Sequence, residues 1–275
     1  MDTRHPAVEG RFYPGTKEET FAFIEQIDRA DRYPEFNQDI EGVIGAILPH
    51  AGHVYSGYQT IPFFKLLIRR KIIPETFIIL NPNHTGYGEA IAMDENAFWK
   101  NAAGVLKIDQ ELSELLPYPK DSLAHRNEHS CEVILPFIQY YYGNEIKILP
   151  ISLKSRKASD TEKLGVSLYE AVRKLKRNTI VIASSDFTHF QSPDEGFQMD
   201  QMVLDRIKQK EIHEVEKVVR QHDISVCGSG PIMSLMAYAA KASDRYSTKI
   251  LARGHSGEVS PSNEVVDYIS MLFYY

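Results

Sequence analysis

The sequence predicts an α/β fold, a largely parallel or mixed central sheet with helices on both faces. Two patterns predict it. Four short apolar runs rich in β-branched residues end in turn-forming or polar residues: Val43–Leu48, Thr76–Leu80, Ile146–Ile151 and Thr179–Ala183. Such runs read as strands buried on both sides. Between them lie helix-like stretches, Tyr58–Arg70, Ser130–Tyr141 and Thr161–Lys176. In the last of these, Leu164, Val166, Leu168, Ala171, Val172 and Leu175 fall mostly at three- and four-residue spacings, as one apolar helix face requires. Strands alternating with such helices imply βαβ crossovers.

Beyond residue 195 the pattern turns helical, over roughly Gly196–Lys210, Ile212–Gln221 and Pro231–Ala240. Two late apolar segments, Lys249–Ala252 and Val265–Phe273, read as further strands, antiparallel at a sheet edge. No repeat, low-complexity tract or long linker divides the chain, so residues 1–275 are expected to form a single domain.

Composition narrows the class of function. The chain has 31 basic and 37 acidic residues, a net charge of −6, which gives no electrostatic reason to expect nucleic acid as a partner. No apolar run approaches the ~18 residues needed to span a bilayer, and no secretory leader is visible, so a cytoplasmic protein away from membranes is expected. The two cysteines, Cys131 and Cys227, form neither a disulfide framework nor a CxxC knuckle. Reduced thiols fit that compartment.

Chemistry is expected where the loops leave the strands, because open α/β sheets bind ligands beyond the carboxyl ends of their strands. Val43–Leu48 is followed by Pro49-His50-Ala51-Gly52-His53, Thr76–Leu80 by Asn81-Pro82-Asn83-His84, and Thr179–Ala183 by Ser184-Ser185-Asp186-Phe187-Thr188-His189. If these strands run parallel, His50, His84, Asp186 and His189 share one rim. His53 could cap or line the entrance but reads more readily as a structural polar residue, His213 and His222 as surface residues, and Cys131 as core. Two further segments bear on the rim. Asn127-Glu128-His129-Ser130-Cys131-Glu132 reads as a helix start capped by Ser130 or Asn127, whose dipole would tune a neighbouring histidine. Cys227 precedes the Gly228-Ser229-Gly230-Pro231 entry into another helix.

Two histidines and a thiolate on separate loops suit a borderline-soft divalent metal with an open position. Asp186, His129 and His189 would then orient ligands or handle protons. The same residues also suit a metal-free hydrolase in which Cys227 is the nucleophile and His84, His129 or His189 the base. A third reading is a non-catalytic cleft that holds a small molecule or peptide. No GxSxG, P-loop or GxGxxG motif accompanies any strand.

The segments Val8-Glu9-Gly10-Arg11-Phe12-Tyr13-Pro14, Pro49-His50-Ala51-Gly52, Asn81-Pro82-Asn83-His84, Asn127-Glu128-His129-Ser130, Ser184-Ser185-Asp186-Phe187-Thr188-His189 and Cys227-Gly228 resemble, in order, the motif blocks of the Memo family. The resemblance covers nearly the whole chain. It implies a fold similar to the LigB-type class III extradiol dioxygenases. It also implies a metal site at His50, His84 and Cys227, with His129, Asp186 and His189 nearby as catalytic candidates. Iron or copper is the implied metal, with zinc compatible, and redox-linked chemistry on a small molecule or peptide the implied activity. AMMECR-type and radical-SAM proteins are the implied companions. Ring cleavage does not carry over, because Cys227 stands where the dioxygenases place a carboxylate. Ser256-Gly257-Glu258 stands where many prokaryotic members of that family carry Ser-Gly-Asp, which leaves open whether Glu258 reaches the cleft.

Overall fold

The computed structural model describes residues 2–275. Its strands are β1 (Thr3–Arg4), β2 (Val43–Leu48), β3 (Thr76–Pro82), β4 (Ile91–Met93), β5 (Phe98–Asn101), β6 (Gly104–Ile108), β7 (Lys147–Leu153), β8 (Thr179–Ser184), β9 (His189–Gln191), β10 (Ser247–His255) and β11 (Val265–Tyr274). The helices are α1 (Lys17–Arg29), α2 (His53–Arg69), α3 (Gln110–Glu114), α4 (Leu123–Arg126), α5 (Leu135–Tyr142), α6 (Ala158–Leu175), α7 (Pro193–Lys208), α8 (Ile212–Gln221) and α9 (Ser229–Ala242).

All the strands join one mixed sheet in the order β1-β5-β6-β7-β3-β8-β2-β11-β10, with β4 beside β7 and β9 beside β11. The centre is parallel. β3 pairs with β7 and β8, and β8 with β2. β11 runs antiparallel to both β2 and β10, as the two late segments foretold. Every residue of β3 is buried, so helices cover both of its faces. One group, α9 with α6 and α8, packs on β2, β3 and β8. Another, α2 with α1 and α5, packs on β2, β10 and β11.

The strand runs succeed because Ile, Val, Leu and Phe fill a pleated surface buried from both sides. Gly45 permits the closest approach in the sheet. A Cβ there would stand 1.9 Å from the Val181 carbonyl oxygen, its partner residue on β8. The sequence expectation for Ser130–Tyr141 needs correction. Residues 132–134 form a 3-10 turn and α5 begins only at Leu135, with neither Ser130 nor Asn127 capping it. In the segment before it the His129 and Ser130 N–H groups go to the Glu128 carboxylate, and the first i→i+4 bond runs from the Val133 N–H to the His129 carbonyl. Conversely, α2 starts at His53, five residues before the apolar periodicity becomes visible.

The amino-terminal segment is anchored by a buried ion pair. Arg4 pairs with Glu132, and both side chains are almost wholly buried. The same carboxylate accepts hydrogen bonds from Ala7 N (2.8 Å), Val8 N (3.1 Å) and Tyr13 OH (2.7 Å). Arg4 also donates to the carbonyls of His125 and Glu128, and its guanidinium lies 4.3 Å from the Trp99 ring centroid. Residues 3–13 thereby clamp the 125–132 loop. Removing one partner of a buried pair strands the other charge, at a cost of about 3–5 kcal/mol. Glu132→Ala is therefore expected to lower unfolding free energy by about that amount in urea titrations. A loss below about 1 kcal/mol would show that the pair is not the anchor.

Candidate metal centre

The parallel centre of the sheet sets the rim. In register, Leu48 of β2 pairs with Ser184 of β8, and Leu80 of β3 with Ala183. The loops bearing His50, His84 and Asp186 therefore leave at nearly one level. α9 delivers Cys227 to the same place. Its entry needs Gly228, where a Cβ would lie 2.3 Å from the Ser184 carbonyl oxygen. With that close approach, Cys227 Sγ stands 3.3 Å from His50 Nε2 and 3.3 Å from the Asp186 backbone nitrogen, whose N–H it accepts.

One donor atom from each of His50, His84 and Cys227 lies within 4.8 Å of the others. His50 and Cys227 are buried, while the His84 side chain is 34% exposed, so the group is reached from its His84 side. The fit to a metal is good. His50 Nδ1 is taken up by Ser184 Oγ (2.7 Å) and His84 Nδ1 by Glu128 Oε1 (2.9 Å). Each histidine keeps Nε2 for coordination beside a soft sulfur donor. A second group, His84, Glu128 and His129, is equally compact. It fits less well, because the Glu128 oxygens already receive hydrogen bonds from His84, His129 and Ser130.

The other candidate residues stand close by. Asp186 Oδ1 accepts the His50 backbone N–H at 2.7 Å. The His129 ring stacks on His84 at 4.8 Å between centroids and meets His50 edge-on at 5.5 Å. His129 rides on an irregular loop just ahead of the 3-10 turn, and its carbonyl accepts the Val133 N–H at 3.0 Å. His189 opens β9, donates its backbone N–H to Ser225 Oγ at 2.7 Å, and leaves Nδ1 buried without a partner.

Burial sets the charge states of several of these groups. Burial, and then the nearby His129, His84 and His189, drive His50 well below the usual histidine range. Burial likewise lowers His129 and His189. Burial pushes Asp186 up to about 7, against hydrogen bonds from the His50 and Ala51 N–H groups. Burial also pushes the Cys227 thiol far up, reinforced by the Asp186 charge. A nucleophilic cysteine needs the opposite shift. Burial alone would raise Glu128 too, but hydrogen bonding to His84 and the charges on His84 and His129 hold it down at about 2.

The remaining histidines do structural or surface work. His53 is buried, packs 4.5 Å from the Phe137 ring centroid and bonds through Nε2 to the Val133 carbonyl. His213, His222 and His5 are exposed. His125, passed over in the sequence, is buried with Nε2 on the Ala92 carbonyl. Glu258 turns back to accept the His255 N–H at 3.2 Å and pairs with Arg32 at 3.9 Å. Cys131 is core, as expected. Sequence reasoning gave no role to Glu128 or Ser184 and cast Ser130 only as a helix cap, although all three lie inside the quoted motifs.

Comparison with known proteins agrees with this architecture. A family profile described as "Memo-like protein" matches residues 4–272. A MEMO1 family protein of Methanopyrus kandleri is 35% identical, with 98% of each chain covered. Another, from Desulfurococcus amylolyticus, is 35% identical over the whole of both chains. Among solved structures, an uncharacterized protein of Escherichia coli K12 superposes with a TM-score of 0.55 at 13% identity, covering 84% of this chain and 99% of that one. That likeness concerns the fold alone. Matched by the family profile along nearly all its length, and alike in sequence to those archaeal proteins from end to end, the chain belongs to the Memo family.

Proposed function

We propose that the protein carries out metal-dependent, redox-linked chemistry on a small molecule or peptide, with the metal held by His50, His84 and Cys227. The observation that carries this reading is the convergence of two imidazoles and one thiol, from three separate loops, within 4.8 Å. Iron or copper suits the set, and zinc shares the preference for imidazole and thiolate. When bound, such an ion supplies an open coordination position that polarises or exchanges electrons with a ligand.

The chain's own residues then divide the work. His129 and His189, both neutral at pH 7, are poised to accept a proton at a ring nitrogen. Asp186, with its carboxyl near 7, holds or releases a proton close to neutrality while fixing the His50 backbone. The exposed flank of His84 leaves room for a substrate to enter. A metal-free hydrolase is the weaker reading, because Cys227 is protonated and buried.

Elemental analysis of anaerobically purified protein tests the proposal. About one equivalent of iron or copper per chain is expected, lost in Cys227→Ser while the far-UV spectrum is unchanged. Absence of metal from both samples, even after anaerobic reconstitution, would remove it.

Proton linkage gives a second test. Burial raises the Cys227 thiol, so the metal-free group is protonated at neutral pH and must lose that proton to coordinate. Zinc affinity, measured by competition with a chromophoric chelator, should rise about tenfold per pH unit between about pH 6.5 and 7.5. In Cys227→Ser that slope should disappear; a slope retained there would show that the sulfur is not a ligand.

A further inference from the structure

The structure assigns to one three-residue segment, Glu128–Ser130, the task of setting which nitrogen of both His50 and His84 carries the proton. Neither Glu128 nor Ser130 is a ligand in this assignment; both are positioning residues.

For His84 the argument rests on donor counting. The Glu128 carboxylate receives the His84 backbone N–H (2.6 Å), His84 Nδ1 (2.9 Å), the backbone N–H groups of His129 and Ser130 (3.0 Å each) and the Ser130 hydroxyl (2.7 Å). Ser130 Oγ also reaches the Pro82 carbonyl (3.1 Å), so its contact fixes nothing. The His129 and Ser130 backbone N–H groups, however, can only donate, and both meet Oε1, the oxygen that faces His84 Nδ1. A proton on that oxygen would be pushed against one of them. His84 Nδ1 must therefore be the donor in its contact, which leaves the lone pair on Nε2.

For His50 the argument runs through a hydroxyl. Ser184 Oγ donates its single proton to the Ser130 carbonyl oxygen at 2.7 Å. It can then meet His50 Nδ1, also at 2.7 Å, only as an acceptor. Nδ1 carries the proton and Nε2, 3.3 Å from Cys227 Sγ, is bare. A carboxylate fixes one histidine and a backbone carbonyl, relayed by a serine, fixes the other. Both anchors lie within Glu128–Ser130, clamped from behind by Arg4 on the Glu128 carbonyl (2.6 Å).

Glu128→Gln breaks this selectively. The backbone N–H groups of His84, on Oε2, and of His129 and Ser130, on Oε1, can only donate, so the amide must turn its NH2 toward at least one of them. Ser184→Ala removes the acceptor for His50 alone. The assignment rests on the proposed metal reading only for what the bare nitrogens are aimed at, since the proton positions belong to the metal-free protein.

The experiment is long-range proton–nitrogen NMR of the metal-free protein at mildly alkaline pH, where protonated and bare ring nitrogens have well-separated shifts. The wild type is expected to show Nδ1–H, Nε2-bare rings for both His50 and His84, assigned with His50→Ala and His84→Ala. Either ring found as Nε2–H overturns the inference, with no need of any positioning variant. Glu128→Gln should shift His84 toward a mixture and weaken zinc binding by about 10–100-fold, while Ser184→Ala shifts His50 and leaves His84 unchanged. Variants that fold but keep both wild-type signatures would also overturn it. Wild-type protein with the expected tautomers but no metal affinity would sink the metal reading and leave this one standing.

Discussion

Strands that run in the same direction and pair in register end level with one another, and nearly everything at the rim of this protein follows from that. β2, β8 and β3 are joined by parallel ladders that set Leu48 beside Ser184 and Leu80 beside Ala183, so the three strands end at one rim. What comes next in each chain segment, Pro49-His50, Ser185-Asp186 and Asn81 through His84, is delivered to a common edge. The spacing tolerates little. Gly45 lets β2 close on β8, and Gly228 lets the entry to α9 close on the end of β8. A methyl group at either would push apart the elements that carry His50 and Cys227. The donor group is thus a product of sheet geometry, assembled from residues as distant in sequence as His50 and Cys227.

Burying so many polar groups in one place would be costly if any were left unpaired. Here most of them satisfy one another across the loops, with His189 Nδ1 an exception. Ser184 joins His50 to Ser130, Glu128 joins His84 to His129 and Ser130, and Asp186 holds the His50 and Ala51 amides. Behind them, Glu132 and Arg4 tie the amino-terminal segment to the same loop. Phe12 from that segment presses on His129 at 5.0 Å between centroids, and its carbonyl accepts the His53 N–H at 2.7 Å. The stretch Val8–Pro14 therefore buttresses the site without supplying a ligand.

The parallel centre was legible in the sequence because β-branched runs with no polar interruption have few other places to go. Histidines beyond three of those runs were legible as a rim for the same reason. Short edge strands were not: β4 and β5 have three and four residues, too few to display a period. The helix expected from Ser130 failed on particular chemistry. Asn127–Cys131 contains residues that favour a helix start, yet the N–H groups of His129 and Ser130 go to the Glu128 carboxylate, and the chain stays irregular until the 3-10 turn at Glu132. Glu128 itself was invisible as a site residue because its decisive partner, His84, is 44 positions away. His53 shows the converse. It shares a motif with His50, but α2 has already begun there, and its ring turns into the core against Phe137.

The position of Cys227 just ahead of α9 illustrates how local and tertiary effects compete. A helix N-terminus favours thiolate through its dipole and free N–H groups. Enclosure works against it, since a buried sulfur loses the water that would stabilise its charge, and the neighbouring Asp186 adds repulsion. Enclosure wins, so the thiol keeps its proton. His50 and His129 beside it are driven toward neutrality by the same burial and by neighbouring imidazoles. A pocket of neutral nitrogens with one protonated sulfur offers little to an incoming carbonyl that must be attacked by an anion. To a soft cation able to displace the sulfur proton it offers two bare nitrogens and a charge-compensating thiolate, which is why the balance of burial and charge favours coordination over nucleophilic attack.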